Sequence, residues 1–226
     1  IIEDMEQWRQ NYYEEWEYLT NKGIEKMIVS PFFEGEKLTG FIGIDNPTHL
    51  SDDYIILNAI SFFVTDALKK HKLEKQLYFM SYHDALTGVL NRNGYIKDMQ
   101  QLSKEQIKNI GIVYADINGL KKLNDERGHS FGDSIIKQTA FALKEVFLEY
   151  DVYRIGGDEF VVICKEIEKS LFLEKVKEFS QKIKEYKDCN VSLGKVWMKE
   201  SLDVSIMVSE ADKLMYENKQ NYYRSN

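Results

Sequence analysis

The run Ile110-Gly-Ile-Val-Tyr-Ala-Asp116 admits few folds. A strand with one wet face alternates apolar and polar residues, whereas this run is apolar almost without interruption. It therefore reads as a strand buried on both faces, within a sheet covered by helices. The acid that ends it, Asp116, emerges at the sheet edge, where ligand sites of α/β folds collect. A second constraint lies in Val152-Tyr-Arg-Ile-Gly-Gly-Asp-Glu-Phe-Val-Val-Ile163. Two short runs rich in β-branched and aromatic residues flank a polar tetrapeptide, which predicts a β-hairpin with strands over 152–155 and 160–164. Gly156 and Gly157 supply the turn, since glycine permits positive φ and close backbone approach to a ligand. Asp158 and Glu159 follow them, so two carboxylates stand at the hairpin tip.

The remaining elements fall around these two. Residues 3–20 contain no Gly or Pro and carry Trp8, Tyr12 and Leu19 on an interrupted helical stripe. Met27–Phe33 and Leu38–Ile44 read as strands joined by a turn over 34–37, and Ser51-Asp-Asp53 offers helix caps. A long helix is expected from about Tyr54 to about Met80, with Leu73, Leu77 and Met80 as a short seam suited to a connector. Helices are predicted over about 92–108, from 118 for a short stretch, and over 134–149, 168–187 and 205–221, with a strand over 190–197 and a loop over 128–132. Strands and helices alternate around one inserted hairpin, so the fold class is α/β (α+β), a central sheet covered by helices.

Composition excludes several classes of function. The formal net charge is −7, from 30 basic and 37 acidic residues, which argues against a nucleic-acid-binding surface. A polyanionic ligand must then be held by local groups or metal ions. No run approaches a membrane span and no signal peptide is visible, so no membrane contact is expected within this chain. Cys164 and Cys189 lack metal-ligand spacing and read as core residues of a reduced, cytoplasmic protein. The chain begins at Ile1, not Met, and so reads as a fragment of a longer one.

If the strands of Asp116 and Asp158 are neighbours, their carboxylates converge beside the helix that starts near Gly119. Carboxylates, helix N-terminal N–H groups and Lys121 together form a phosphate site with a divalent metal, and hard oxygen donors suit Mg²⁺, with Mn²⁺ as the alternate. No Walker-type Gly-Lys-Ser/Thr run is present, which argues against a P-loop enzyme. Asn124 and Asp133 have the donor and acceptor pattern to read a base edge.

Two resemblances follow. Gly23, Pro31-Phe32, Gly35, Gly40-Phe-Ile-Gly-Ile44, Asn46 and Ser51-Asp-Asp53 resemble the second half of a GAF domain, which implies a partial sensor or dimerisation region over 1–75, with a small-molecule ligand. A connector over 76–83 would join it to a second domain over 84–226. That domain resembles the GGDEF family of diguanylate cyclases, related in fold to the palm of class III nucleotidyl cyclases. The matching stretches are Asp84-Ala-Leu-Thr-Gly-Val-Leu-Asn-Arg92, Asp116-Ile-Asn-Gly-Leu-Lys-Lys-Leu-Asn-Asp125, Gly128-His129, Gly132-Asp133, Gly156-Gly-Asp-Glu-Phe160, Ser192-Leu-Gly194 and Ala211-Asp-Lys-Leu-Met-Tyr216 with Lys219.

The resemblance implies condensation of two GTP into cyclic di-GMP by a homodimer, or, as the alternative, a catalytically silent GTP-binding module. It implies that Asp116, the Ile117 carbonyl and Asp158 bind Mg²⁺. Gly119, Leu120, Lys121 and Lys219 would hold the triphosphate, and Asn124 and Asp133 would read guanine. Asp158 would assist removal of the 3′-hydroxyl proton, with Glu159 supporting the same centre. Asp84, Arg92 and His129 would hold structure, and Tyr153, Phe160 and Trp197 would be core. Two positions depart from the family pattern: Tyr223 stands where an Arg is common, and Asn118 where an acid is frequent. The Arg-x-x-Asp product site of many members is replaced by Phe147-Leu-Glu-Tyr150, whose Phe and Tyr would form the apolar end of helix 134–149.

Overall fold

The structure, a computed structural model, describes residue 9 and residues 13–34, 37–103, 105–201 and 203–225. Two compact units, Ile1–Gln76 and Leu77–Asn226, divide within one long helix.

In the first unit, α1 (Tyr13–Asn21) precedes an antiparallel hairpin of β1 (Met27–Glu34) and β2 (Lys37–Asp45), followed by α2 (Leu50–Tyr82). The rest of the helix expected over 3–20, and residues 35–36 of the expected turn, lie outside the described residues. Ile24, Met27, Ile28 and Leu57 form a small buried core. Asn46 ties the hairpin's two ends: its side chain accepts from the N–H of Glu25 at 2.8 Å and donates to the Gly23 carbonyl at 2.8 Å. The helix starts at Leu50, earlier than expected, because Asp53 accepts the N–H of His49 at 3.1 Å from inside the first turn. Leu73, Leu77 and Met80 are exposed along α2. Among the described residues, no helix is long and apolar enough to cross a membrane.

The second unit contains α3 (Arg92–Leu102), β3 (Ile107–Ile117), α4 (Leu120–Arg127), α5 (His129–Val146), β4 (Asp151–Arg154), β5 (Glu159–Cys164), α6 (Lys169–Lys182), β6 (Val191–Ser201) and α7 (Val204–Ser225). Its sheet has the order β4-β5-β3-β6, antiparallel throughout. The buried strand read from the sequence, β3, is one of the two inner strands, and it alternates between two cores. Val113, Ala115 and Ile117 join Phe160, Val162 and Cys164 beneath α5 and α6. Ile110, Ile112 and Tyr114 join Val161, Ile163 and Val196 beneath α3 and α7. Burying both faces in this way is the main stabilisation of such a sheet, at about 25 cal/mol per Å² of apolar surface.

Several boundaries differ from the sequence reading. The helix expected over 92–108 ends at Leu102, since Ile107 and Lys108 pair with Ser201 and Glu200. Residues 129–132 are helical, not a loop. Gly128, at φ 85°, makes the break, while Gly132 is a helical residue against which the Asn124 side chain packs. Helix α5 stops at Val146, so Phe147–Tyr150 lies beyond it, yet Phe147 is fully buried and Tyr150 packs on the same core. Helix α6 ends at Lys182 and passes into a 3₁₀ turn, Ile183–Glu185. Tyr153 and Phe160 are core as expected, and Trp197 donates its ring N–H to the Ile167 carbonyl at 2.8 Å. Cys164 and Cys189 are buried free thiols.

Candidate active site

Strand parity assembles the site. Asp116 follows Ile110, Ile112 and Tyr114 on the α7 face of β3, and Glu159 precedes Val161 and Ile163 on the same face of β5. The two are direct register partners, and opposed residues of an antiparallel pair present their side chains to one face. Asp158 lies just outside β5, in the turn, and its carbonyl accepts the N–H of Ile117 at 3.1 Å. The structure thus sets Glu159, more directly than Asp158, opposite Asp116.

Helix α7 covers these carboxylates with Lys219, whose Nζ lies 2.6 Å from Asp116 Oδ1. Asp116 is 3% exposed, and Oδ1 makes no hydrogen bond of good directionality among the described residues, so the contact is charge pairing. Burial raises the Asp116 pKa, Lys219 opposes the rise, and the neighbouring Asp158 and Asp212 add to it. Glu159 is raised by burial and by the charges of Asp116, Asp158 and Asp212. Burial lowers the Lys219 pKa, but its ion pair with Asp116 and the charge of Asp158 outweigh that, and the net shift is upward. A cluster of carboxylates that one lysine compensates only in part favours a further cation.

Beside the carboxylates, the chain leaves β3 through Asn118 and Gly119. Asn118 is buried and accepts a hydrogen bond from the Ser192 hydroxyl at 2.9 Å, so an amide at this position holds β6 to the turn. Gly119 adopts φ 71°, a conformation that favours glycine, and no atom lies within 4 Å of where a Cβ would stand. Leu120 is buried at the start of α4, and Lys121 is exposed in its first turn. Asn124 Oδ1 is buried without a hydrogen-bond partner, against the backbone of Gly132. Asp133 is exposed within α5, and His129 is exposed at the start of that helix.

The hairpin tip is anchored by Arg154. Its guanidinium bonds both Asp84 oxygens at 3.0 and 3.2 Å and the Gly157 carbonyl at 2.7 Å. Burial pushes the Asp84 carboxyl up, but the Thr87 hydroxyl and Arg154 together hold it below the ordinary range. Asp84 is therefore structural, as the sequence reading expected. Sequence reasoning missed Arg154 and Asp212. The signal for Asp212 was its spacing: it precedes Lys219 by seven residues, two helical turns, and so shares its face.

The sequence profile described as "Diguanylate cyclase, GGDEF domain" matches residues 81–224. The chain belongs to the GGDEF family. Diguanylate cyclase DgcS of Shewanella oneidensis is 30% identical over 162 residues, covering 68% of this chain and 53% of that protein. Cyclic di-GMP phosphodiesterase PdeR of Escherichia coli is 28% identical over 168 residues, covering 67% of this chain and 24% of that protein. The chain thus spans about half or less of the length of these relatives. Among solved structures, the coiled coil and GGDEF domain of DgcB from Caulobacter crescentus, in complex with c-di-GMP, superposes with a TM-score of 0.65 at 18% identity. That likeness covers 73% of this chain and 94% of DgcB as solved, and it is one of fold.

Proposed function

We propose that this chain is a diguanylate cyclase that condenses two GTP into cyclic di-GMP with release of two pyrophosphates. The observation that carries the reading is the facing pair Asp116 and Glu159 on one side of the sheet, capped by Lys219 and adjoining the open Gly119 turn. In this reading the 3′-hydroxyl of one GTP attacks the α-phosphorus of the other. A P–O bond forms as the bond to pyrophosphate breaks, and Asp158 accepts the hydroxyl proton. Gly119, Leu120, Lys121 and Lys219 hold the triphosphate, while the unpartnered Oδ1 of Asn124 and the exposed carboxylate of Asp133 read guanine. Each chain carries one such site and the product needs two GTP joined head to tail, so two copies must face each other. The exposed seam Leu73, Leu77 and Met80 supports a homodimer.

Mg²⁺ or Mn²⁺ fits the donor set. Asp116 Oδ1 is buried with unused acceptor capacity, and Asp116, Asp158, Glu159 and the Ile117 carbonyl offer hard oxygens. Among the described residues, no three acidic, His or Cys side chains form a cage by themselves, so a cation here would complete its shell with water and substrate oxygens. Bound there, it would neutralise charge on the transferring phosphoryl group.

The first unit is read as a partial GAF-like sensor. Its support is the hairpin-to-helix order and a cleft of about 740 Å³ lined by Tyr18, Leu19, Met27, Val29 and Phe41 together with Glu14 and Glu15, suited to a small, mainly apolar ligand with a polar or cationic group. GTP as substrate places the domain in the cytoplasm. A second reading, a catalytically silent GTP-binding module, is favoured by Tyr223 at the usual Arg position. Incubation with GTP and Mg²⁺ followed by mass spectrometry separates the two: cyclic di-GMP supports the cyclase, and unreacted GTP at every protein concentration supports the silent module. Asp116→Asn is expected to abolish turnover, because an amide is a poor Mg²⁺ ligand. Undiminished product from that variant would remove Asp116 from the mechanism.

A further inference from the structure

Tyr223 lies near the end of α7, four residues after Lys219 and so about one turn beyond it on the same face. Its hydroxyl accepts a hydrogen bond from the Gly119 N–H at 3.1 Å. This N–H belongs to the turn that the reading above gives to the triphosphate. The ring is braced edge-on by Tyr222, with centroids 5.3 Å apart, yet Tyr223 remains 55% exposed. In the nucleotide-free chain, one phosphate-holding group of each kind is therefore occupied by the chain's own atoms. Lys219 is paired with a carboxylate, and Gly119 N–H is paired with a phenol oxygen. A phenol oxygen on a backbone N–H makes the contact that a phosphate oxygen would make, without the negative charge.

We propose that the Tyr223 hydroxyl stands in for a phosphate oxygen on Gly119 and is displaced when the triphosphate binds, so that this residue sets the affinity for the substrate's phosphate tail. The inference rests on the nucleotide reading above. Tyr223 is then a positioning residue whose removal strengthens binding, the reverse of what truncating a phosphate ligand does. An arginine at the same position would supply a cation to the tail, whereas tyrosine contributes only a contact that must first be broken. Half-exposed, the ring has room to swing away by rotation about its side-chain torsions. On the Cα side of Gly119 no atom lies within 4 Å of a Cβ position, so the turn itself is uncrowded there. The competing explanation is a clip that ties the end of α7 to the turn after β3. A clip predicts lost thermal stability in Tyr223→Phe with unchanged nucleotide affinity.

The test uses the full chain as wild type, Tyr223→Phe and Tyr223→Arg. Hydrogen exchange of the peptide containing Gly119 is followed without ligand. Binding of a GTP analogue unreactive at the α-phosphate is then measured with Mg²⁺, alongside guanosine, which has no phosphate. Tyr223→Phe is expected to speed exchange at Gly119 and to bind the analogue roughly threefold to tenfold tighter, the size of one net hydrogen bond, with guanosine unchanged. Tyr223→Arg is expected to bind the analogue tighter still. Unchanged analogue affinity in Tyr223→Phe overturns the proposal in favour of the clip, and the nucleotide reading survives. Weaker binding in Tyr223→Phe overturns it too, because the hydroxyl would then be a phosphate ligand. Failure of all three proteins to bind either the GTP analogue or guanosine sinks the nucleotide reading itself, and the displacement proposal with it.

Discussion

Gly194→Ala is the substitution whose effect follows most directly from the geometry. Gly194 lies on β6 opposite Tyr114, where α7 crosses the sheet. A Cβ there would stand 2.5 Å from the Met215 nitrogen and 2.8 Å from the Ala211 carbonyl carbon, and would overlap the Ala211 carbonyl oxygen. Ordinary contact begins near 3.4 Å, so the helix must retreat by roughly 1 Å or more, and backbone cannot rotate aside as a side chain can. Overpacking of this kind costs about 1–3 kcal/mol, and contact with backbone places it at the upper end. For a domain of this size, 3 kcal/mol lowers Tm by about 6–12 °C. The same retreat draws Lys219 away from Asp116, one turn beyond Met215, so binding of the triphosphate should weaken along with stability. Thermal melts by circular dichroism and nucleotide titration read the two effects. Gly157→Ala serves as the control for added bulk, since nothing lies within 4 Å of its Cβ position, and its Tm should stay within about 2 °C of wild type. A Gly194→Ala protein with wild-type Tm and nucleotide affinity would refute the close crossing of α7 over β6.

Three further outcomes are expected. Burial raises the folded-state pKa of both Asp116 and Glu159, so the metal-free protein loses stability from these groups as pH rises from the ordinary carboxylate range, near 4, through their raised values. Mg²⁺ requires the ionised forms, so its stabilising shift in Tm should be larger at pH 8 than at pH 5, and equal shifts would refute the assignment. Arg154→Ala should cost about 2–3 kcal/mol by leaving Asp84 and the Gly157 carbonyl without their partner, read by urea melts. The depressed pKa of Asp84 means that the stability it supplies is present above the ordinary carboxylate range and is lost as pH falls through the folded value, so the deficit of Arg154→Ala should shrink in acid. Cyclic di-GMP should not inhibit turnover through residues 147–150, because Phe147 is fully buried and offers no guanidinium. Strong inhibition that Glu149→Ala or Tyr150→Ala removes would show otherwise.

The legible parts of this chain were those where side-chain chemistry and backbone agreed. Ile110–Asp116 could be read as a doubly buried strand because apolar residues occupy both parities, and the hairpin because glycines interrupt two β-branched runs. The polar ends of the same ladder were illegible. Lys108 and Glu200 have no strand preference, and they pair because the next pair outward, Ile107 and Ser201, is buried and holds β3 against β6. The start of α5 was hidden for a related reason. Two glycines four positions apart look alike in sequence, but Gly128 breaks the chain by its dihedral angles, while Gly132 stays helical and makes room for Asn124. Individual site residues could be named in advance, but not which of them meet. The Asp116–Glu159 register and the Tyr223–Gly119 bond join residues 43 and 104 positions apart, and only tertiary structure brings such pairs together.

The position of Asp116 on the most enclosed strand separates the site by timescale. Its strand is hydrogen-bonded on both sides, so moving the backbone that carries that carboxylate requires opening the sheet, among the rarest openings of a native fold. Tyr223 belongs to the last turn of α7, and helix ends fray and reclose in nanoseconds to microseconds. A nucleotide arriving here would find the acidic half already fixed, and only the tail of α7 would have to keep pace with its entry.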